Sequence, residues 1–456
     1  MSFEKIQNLF KRETKPSQGE KDEEVVDSSR RDFLKKASKA ALYAAISASI
    51  PKTVEAGLLV GTGKNKPKNS EGLGINISDQ IIVRSEKADS QIEAIPEYKR
   101  SLERLLLTIP SNESDEYIKN AFFELIAQLP EYTEIELVAK EQNLETIKNI
   151  VNELKIENKI NYKIFSQDSD HIEAWAQDYG EALKINGQEK FLISGKINNS
   201  NSRLDKIDKI RIEKRVEAIT DALGKENIEV AKFIFEGGNM TFDEANGYLR
   251  VFIGYNDLEF NAFNNGPKKM DLKEVAGIIS RNLGGAEVVV MGNHAQEGTF
   301  VHIDQSFIIL EGKTAIVNQF AKGANPMVRY QHQYYKAQLE KLGYRTIVVE
   351  NDSDDLELCR SSLNAIPYID KHSKEKKVIF PVFENEIKKG SINTASKYLK
   401  QEDLQGKALN SFAAFKQAGY TPIPARDLVT HAKNGNVHCL SNVLAKMLES
   451  RKEMTA

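Results

Sequence analysis

Cysteine is scarce in this chain, which has only Cys359 and Cys439 among 456 residues. Two thiols cannot form the disulfide framework that stabilises small extracellular domains, and they are compatible with two free thiols or with one bridge. The chain also lacks an excess of one charge, because 63 basic side chains face 66 acidic ones. Without a basic field, nucleic acid is not expected as a partner. The length and the 40% hydrophobic content are sufficient for a sizeable core.

Residues 1–56 differ from the rest and resemble a twin-arginine export signal. Arg30 and Arg31 precede an alanine-rich apolar stretch from Ala37 to Ile50, which ends near a small-residue site at Ala56. The stretch is too short and too weakly apolar to anchor a protein in a bilayer. An ordinary basic, alanine-rich helix would look similar. The export interpretation predicts a periplasmic or secreted protein that meets a membrane only in transit.

Residues 57–94 are rich in Gly, Asn, Lys and Ser and are predicted to form an irregular lead-in. From residue 95 to residue 456, short apolar runs alternate with helical patterns, so an α/β fold in one large domain is predicted. The predicted strands are Leu105–Ile109, Ile135–Ala139, Ile160–Phe165, Val230–Phe235, Ala286–Met291, Phe307–Leu310, Thr346–Val349 and Val378–Val382. The predicted helices are Asp115–Leu129, Leu144–Leu154, Ile210–Leu223, Tyr330–Leu342 and Leu404–Ala418.

Two short motifs in the first half of this domain are candidates for a polar pocket. WAQDYG holds Asp178 and the only tryptophan, Trp175. By itself it is explained as a turn capped by the aspartate. FEGGN places paired glycines between Glu236 and Asn239, where the backbone can turn sharply or approach a ligand closely. A β-bulge or a hairpin turn explains the glycines equally well.

Two further motifs carry groups that can react. His302 and Asp304 begin a strand-like run, and their spacing puts them on one face of a strand. Cys439 follows a Gly/Asn turn and precedes a helical pattern, and a helix N-terminus would lower the pKa of its thiol. An inert buried cysteine is the alternative. The neighbouring His438 is expected to point to the opposite face, as adjacent residues of an extended segment do.

Together the four motifs resemble the guanidino-group-modifying superfamily, most closely its protein-arginine deiminase and agmatine deiminase families. WAQD, EGGN, HID and NVHC occur in the order of those enzymes. Gln177 and the terminal VHC resemble the peptidylarginine enzymes, whereas EGGN resembles the bacterial and agmatine-type members. The resemblance covers about residues 95–449. It implies the pentein fold, in which five ββαβ units surround a pseudo-fivefold axis with the active site in the central channel.

The resemblance also implies a division of roles for hydrolysis of an arginine guanidinium to citrulline and ammonia. Asp178 and Asp304 would hold the planar cation through paired hydrogen bonds. The thiolate of Cys439 would attack its carbon, and His302 would protonate the leaving ammonia and activate water. Substrate-binding roles follow for three more residues: Glu236, which would orient His302, and Asn239 and Trp175, which would shape the pocket.

Several alternatives remain open at this stage. The substrate is expected to be an arginine-containing protein or peptide, although agmatine or free arginine would also serve. An amidinotransferase would use the same four residues, and a binding module would need neither thiol nor imidazole. No cofactor is required for the chemistry. Calcium is possible but not assignable; the acidic run from Asn351 to Glu357 is explained more simply as a solvated loop. No residue is assigned to a metal.

Overall fold

A computed structural model describes most of the chain beyond residue 79. The described residues are 80–109, 118, 121–122, 124–139, 143–154, 176–195, 216–217, 219–220, 223–245, 247–264, 269–293, 302–352, 355, 360–389, 399–427, 436–439 and 441–444. The predicted export signal, Trp175, Cys359 and the predicted strand Ile160–Phe165 lie outside them.

The described strands form five sheets with a shared topology. In each sheet a first strand pairs antiparallel with a second, and the second pairs in parallel with a third. The strands are β1 (Ile82–Val83), β2 (Ile92–Glu93), β3 (Arg104–Ile109), β4 (Glu134–Ala139), β5 (Gly180–Ile185), β6 (Gln188–Ile193), β7 (Ile228–Val230), β8 (Met240–Ala245), β9 (Tyr248–Gly254), β10 (Glu287–Met291), β11 (Phe307–Leu310), β12 (Thr314–Phe320), β13 (Arg345–Asn351), β14 (Ile366–Ile369), β15 (Lys376–Phe383), β16 (Thr421–Asp427) and β17 (Ser441–Leu444).

Each parallel pair is joined by a crossover, because two parallel strands cannot be connected by a tight hairpin. All five crossovers contain helical residues, so the repeating unit is ββαβ. Between β6 and β7 these are residues 216–217, 219–220 and 223. The helices are α1 (Glu124–Gln128), α2 (Leu144–Leu154), α3 (Tyr255–Asn264), α4 (Leu272–Asn282), α5 (Pro326–Lys341) and α6 (Lys407–Gln417). The predicted α/β class is confirmed.

One sheet is completed from both ends of the domain. Its first strand, β17, pairs antiparallel with β3, with Asn442 opposite Leu106 and Val443 opposite Leu105. The parallel partner of β3 is β4. The turn before β17, which contains Cys439, is therefore attached to the N-terminal part of the domain.

Packing of the strands and helices explains the sequence patterns. The LLLTI run of β3 is buried on both faces, as expected for a strand covered on either side. Helix α4 begins where Asp271 accepts a hydrogen bond from the backbone N–H of Lys273. Its buried side chains recur with helical spacing at Val275, Ala276 and Ile279. Local signals and burial thus agree in both kinds of element.

Three sequence predictions differ from the structure. The predicted strand Val230–Phe235 is wrong beyond Val230, where β7 ends and Phe235 enters a turn that contributes to the site. Helix α6 begins at Lys407 rather than Leu404, because Gly406 has a positive φ of 58° that interrupts a helix. Within the predicted lead-in, β1 and β2 pair with β10 and β5.

Among the described residues, no helix combines the length and the apolar character needed to cross a bilayer.

Candidate active site

The candidate site is built from turns that occupy one equivalent position in the five units. Each turn immediately precedes the first strand of its sheet, so the shared topology brings their side chains to comparable places. The turns and their strands are 176–179 before β5, 237–239 before β8, 303–305 before β11, 362–364 before β14 and 437–439 before β17. They contribute Asp178, Gly238, Asp304, Asn364 and Cys439 respectively.

Asp304, Asn364 and Cys439 form one connected group. The Asn364 side-chain amide donates to Oδ2 of Asp304 at 2.8 Å and to Sγ of Cys439 at 3.1 Å. Its oxygen accepts from the backbone N–H of Cys439 at 3.0 Å. The thiol of Cys439 lies 3.5 Å from Oδ2 of Asp304. Asn364 therefore fixes both the sulfur and the carboxylate, although the sequence analysis did not identify it.

His302 lies between two carboxylates on the other side of the site. Its Nε2 is 2.7 Å from Oε2 of Glu236, and its Nδ1 is 3.4 Å from Oδ1 of Asp178. The predicted orientation of His302 by Glu236 thus has the required contact. The two-residue alternation predicted for His302 and Asp304 is wrong, because Ile303–Gln305 form a 3-10 turn rather than a strand. The turn nevertheless directs both side chains into the site.

The glycines of the EGGN motif allow these turns to approach one another. A Cβ on Gly238 would lie 2.8 Å from Nδ1 of His302, 3.1 Å from Oδ2 of Asp304 and 3.2 Å from Oδ1 of Asp178. A Cβ on Gly237 would lie 2.0 Å from the carbonyl oxygen of Gln177. The paired glycines thus meet the need for close approach, and Gly238 is the point where Asp178, His302 and Asp304 converge.

Asn239, the last residue of the EGGN turn, contacts Gly254 and Asp257. Its side chain packs on Gly254, where any Cβ would collide with it, and it hydrogen-bonds to Asp257. Asp257 in turn accepts from the backbone N–H of Glu236 at 3.2 Å. Burial, together with the charge of Glu236, raises the pKa of Asp257 to about 8. These contacts give Asn239 a supporting position in the EGGN turn.

The electrostatics of the thiol differ from the sequence prediction. Cys439 does not begin a helix; it ends the turn before strand β17. Burial and the charge of Asp304 raise the pKa of the Cys439 thiol to about 11. Burial disfavours the protonated form of His302, but the charge of Asp178 and hydrogen bonds with Cys439 and Glu236 outweigh it and raise the pKa of His302 well above its usual value. The site without substrate therefore holds a neutral thiol beside an imidazolium.

A family model for the Porphyromonas-type peptidyl-arginine deiminase matches residues 95–444, and this range contains every residue of the candidate site. The chain belongs to this family. It is therefore a deiminase of guanidino groups, which acts on amidine C–N bonds. No curated protein matches the chain.

Solved structures show the fold of the deiminase. The agmatine deiminase of C. jejuni is 18% identical, with a TM-score of 0.56, and the match covers 79% of this chain and 98% of that one. A Cys-to-Ser variant of that enzyme with substrate bound is 19% identical, with a TM-score of 0.54 and the same coverage. Both are pentein-fold α/β proteins, and together with the family match they confirm the predicted superfamily. Pentein deiminases act through a cysteine nucleophile without a cofactor.

A second histidine of the deiminase contacts Asp304 from behind. Nδ1 of His438 lies 2.8 Å from Oδ2 of Asp304, and its Nε2 lies 2.9 Å from Oε1 of Glu97. The expectation that His438 points away from the site is wrong, because residues 437–439 form a turn rather than an extended segment. The alternation rule does not apply in a turn, so both His438 and Cys439 reach Asp304.

Metal-ligand atoms of the described residues come close together at one place, where atoms of Asp178, Glu236 and His302 lie within 4.8 Å of one another. Both nitrogens of His302 face a carboxylate there, which is the arrangement of an imidazolium paired with two anions. A protonated imidazole has no lone pair for a metal. In the acidic run considered for calcium, Asp355 is buried and paired with Lys407 at 2.9 Å.

Proposed function

We propose that this deiminase hydrolyses the guanidinium of peptidyl-arginine, giving citrulline and ammonia. The observation that carries the proposal is the free face of Asp304. Its Oδ2 is engaged by Asn364 and His438, whereas its buried Oδ1 has no hydrogen-bond partner within the described part of the chain. A buried acceptor beside a thiol requires a donor, and a guanidinium supplies several in one plane.

The proposed binding mode places the guanidinium between two carboxylates. Oδ1 of Asp304 would accept from one nitrogen and Asp178 would accept from another, which holds the central carbon in front of Sγ of Cys439. We also infer that the five units surround a pseudo-fivefold axis, because five equivalent turns then meet at a single site. The cation compensates negative charge that would otherwise remain buried.

Binding of the cation would also activate the nucleophile. The pKa of the thiol is raised by burial and by Asp304, and a guanidinium held against Asp304 opposes both effects. The thiol gives its proton to water, and the resulting thiolate adds to the guanidinium carbon. His302 gives a proton to the departing ammonia, and an S-alkylthiouronium remains. His302 then takes a proton from water, which attacks the same carbon. The C–S bond breaks, so that citrulline is released and the thiol is restored.

The charge at the exposed edge favours some substrates over others. Glu236 is the most accessible member of the site, with 36% of its side chain exposed. A free amino acid would bring its own carboxylate near this anion, whereas a peptide has no carboxylate there and agmatine has an ammonium that the anion would attract. The charge therefore disfavours free arginine and does not separate the peptide from agmatine. The family match to peptidyl-arginine deiminases supports the peptide as the first candidate, and agmatine is the second candidate, supported also by the agmatine deiminase of C. jejuni. Free arginine is the least favoured of the three.

A substrate panel tests the proposal. Ammonia release is measured with a peptide that has an internal arginine, with agmatine and with free arginine, each with and without a calcium chelator. The expected order of kcat/KM places the peptide first and free arginine last. Preference for agmatine over the peptide would replace the first candidate with the second.

Cys439→Ala should abolish ammonia release from every substrate in the panel, because it removes the sulfur that forms the covalent intermediate. The matched control is Cys359→Ala, which removes the other thiol of the chain. Turnover by Cys439→Ala would contradict the mechanism. Adding glycine or lysine as an acceptor separates hydrolysis from amidinotransfer, and substrate binding without turnover by the unaltered protein would indicate a binding module.

We propose in addition that the protein is exported in the folded state through the twin-arginine route. The support is the order of the Arg30-Arg31 pair, the apolar stretch and the small-residue site. Replacing both arginines with lysine keeps the charge and should leave the protein inside the cytoplasm. Undiminished export of the doubly substituted protein, measured by cell fractionation, would contradict this proposal.

A further inference from the structure

We propose that His438 is a positioning residue, which holds the carboxylate of Asp304 so that only Oδ1 faces the substrate. This inference rests on the proposed function, since it assigns Asp304 to guanidinium binding. His438 is 6% exposed and lies in the turn that ends at the nucleophile. The reaction steps above make no use of it.

Both ring nitrogens of His438 face carboxylates. Nδ1 faces a carboxylate oxygen of Asp304 at 2.8 Å, and Nε2 faces one of Glu97 at 2.9 Å. A carboxylate oxygen accepts and does not donate, so both contacts are hydrogen bonds only when both nitrogens carry protons. The geometry is therefore that of an imidazolium held between two anions.

Hydrogen bonds limit the rotation of the Asp304 carboxylate. A carboxylate can rotate about its terminal torsion, which has no sharp minimum. Two donors on the same oxygen, from Asn364 and His438, oppose that rotation. If His438 were absent, Oδ2 would be held by Asn364, whose amide also donates to Sγ of Cys439 at 3.1 Å. His438 is thus the donor that binds Asp304 without also binding the sulfur.

Glu97, which contacts Nε2 of His438, is the first of a series of polar residues. Burial opposes the charge of Glu97, but the charge of His438 and its hydrogen bond lower the pKa of Glu97, which therefore stays ionised. The charge of Arg100 also lowers the pKa of Glu97, and the guanidinium of Arg100 lies 3.6 Å from Glu181. Glu181 accepts from the side chain of Gln177 at 2.8 Å. Gln177 precedes Asp178, so the buried chain of polar groups leads from one substrate carboxylate to the turn that carries the other.

A matched pair of substitutions tests the proposal. The amide nitrogen of asparagine is as many bonds from Cα as Nδ1 of histidine, and that of glutamine as many as Nε2. His438→Asn therefore keeps a donor for Asp304, whereas His438→Gln keeps one for Glu97 only. We expect His438→Gln to lower kcat/KM by about 100-fold, with an increase in KM, and His438→Asn to lower it by less than about tenfold.

A readout besides turnover comes from alkylation of Cys439. The thiolate displaces chloride from 2-chloroacetamidine, a cation that uses the carboxylates, or from neutral chloroacetamide, which does not. In each case an S–CH2 bond forms, chloride leaves with the bonding pair and the thiol proton passes to water. The ratio of the two rates should fall by about tenfold or more in His438→Gln and remain within about threefold of the unaltered protein in His438→Asn. Peptide mass spectrometry assigns the label to Cys439.

The outcomes separate the two proposals. Equal kcat/KM and equal rate ratios in the two His438 variants would overturn the positioning role, whether both are high or both are low. A protein that prefers the amidine but releases no ammonia would overturn the proposed function and leave the positioning role standing. Should either variant not fold, Glu97→Gln removes the counter-charge instead, and unchanged KM and rate ratio in it would overturn the proposal. His332→Gln controls for the loss of a buried histidine. His332 lies in α5 and packs on Phe320 and Tyr335, which are not residues of the site.

Discussion

The site has two halves that differ in access to solvent. The open half consists of Asp178, Glu236 and His302, whose side chains are 7%, 36% and 14% exposed. The closed half consists of Asp304, Asn364, His438 and Cys439, and every one of these side chains is buried or nearly so. Each half has one histidine that contacts two carboxylates: His302 contacts Asp178 and Glu236, and His438 contacts Asp304 and, outside the closed half itself, Glu97.

The same arrangement of an imidazole between two anions thus occurs in two environments. Water can reach the open half, so His302 can exchange a proton with it during each turnover. The side chain of His438 is 7% exposed, half the value of His302, and its two nitrogens contact Asp304 and Glu97. Under the proposed mechanism, the environment, and not the local pairing, would assign proton transfer to one histidine and positioning to the other.

Gly238 is where the two halves meet, and its substitution is expected to have the largest effect. A Cβ in Gly238→Ala would press on His302 of the open half and on Asp304 of the closed half. Displacement of both groups should reduce kcat/KM by on the order of 1,000-fold, since small misplacements already cost about 100-fold. Steady-state ammonia release measures the change.

Gly323→Ala is the matched control, because a Cβ at Gly323 has no heavy atom within 4 Å. Its activity should equal that of the unaltered protein. Activity of Gly238→Ala within tenfold of the control would mean that the two halves do not depend on this close approach.

The closed half can be probed by the reactivity of its thiol. With the pKa of Cys439 raised to about 11, the thiolate fraction keeps rising with pH throughout the neutral and mildly alkaline range. Alkylation by neutral chloroacetamide should therefore increase about tenfold for each pH unit between about pH 7 and pH 9. A rate that levels off below about pH 8 would indicate a thiolate already formed in the absence of substrate, and the contrast between a neutral thiol and the imidazolium of His302 would be lost.

The fold was largely predictable, because local patterns coincide with burial in most elements. The runs Phe307–Leu310 and Val378–Val382 lie in β11 and β15, and the helical pattern Leu144–Leu154 is α2. The segment after Val230 misled because its alanine, phenylalanines and isoleucine are buried beyond the end of β7, where Ala231 and Phe233 still share backbone hydrogen bonds with Ile193 and Gly195. Apolar content alone cannot distinguish a regular strand from a buried irregular segment.

The site was predictable only in part, for a physical reason. Four motifs drew attention to Asp178, His302, Asp304 and Cys439, because their order along the chain resembles that of a known superfamily. Asn364 lies in the plain segment SSLNAI, where no neighbour marks it. Its position two residues before β14 matches that of Cys439 before β17, so the repeat of the five units is the signal that could have found it.

Substitution of Glu236 tests the role of His302 in the open half. Glu236→Gln removes an anion that raises the pKa of His302, so His302 loses its proton at a lower pH than before. Since protonated His302 is required for departure of ammonia, the alkaline limb of the rate profile should shift toward lower pH. Activity near the alkaline end should fall by about tenfold while activity near pH 6 changes little. A kcat profile that keeps its alkaline limb would remove His302 as the proton donor.

Asp257, below the open half, should give the smallest effect, and on stability rather than activity. Its pKa is about 8 in the folded protein and near 3.8 when unfolded, so folding favours the protonated form. The stability that this group contributes is complete below about pH 4 and is lost as the pH rises toward 8. Asp257→Asn keeps an acceptor for the backbone N–H of Glu236 and does not titrate. The free energy of unfolding of the variant should gain on that of the unaltered protein by on the order of 1 kcal/mol for each pH unit between about 5 and 8. Denaturant titrations at several pH values measure this difference, and a constant difference would show that Asp257 is ionised in the folded protein and that the open half carries one more buried charge.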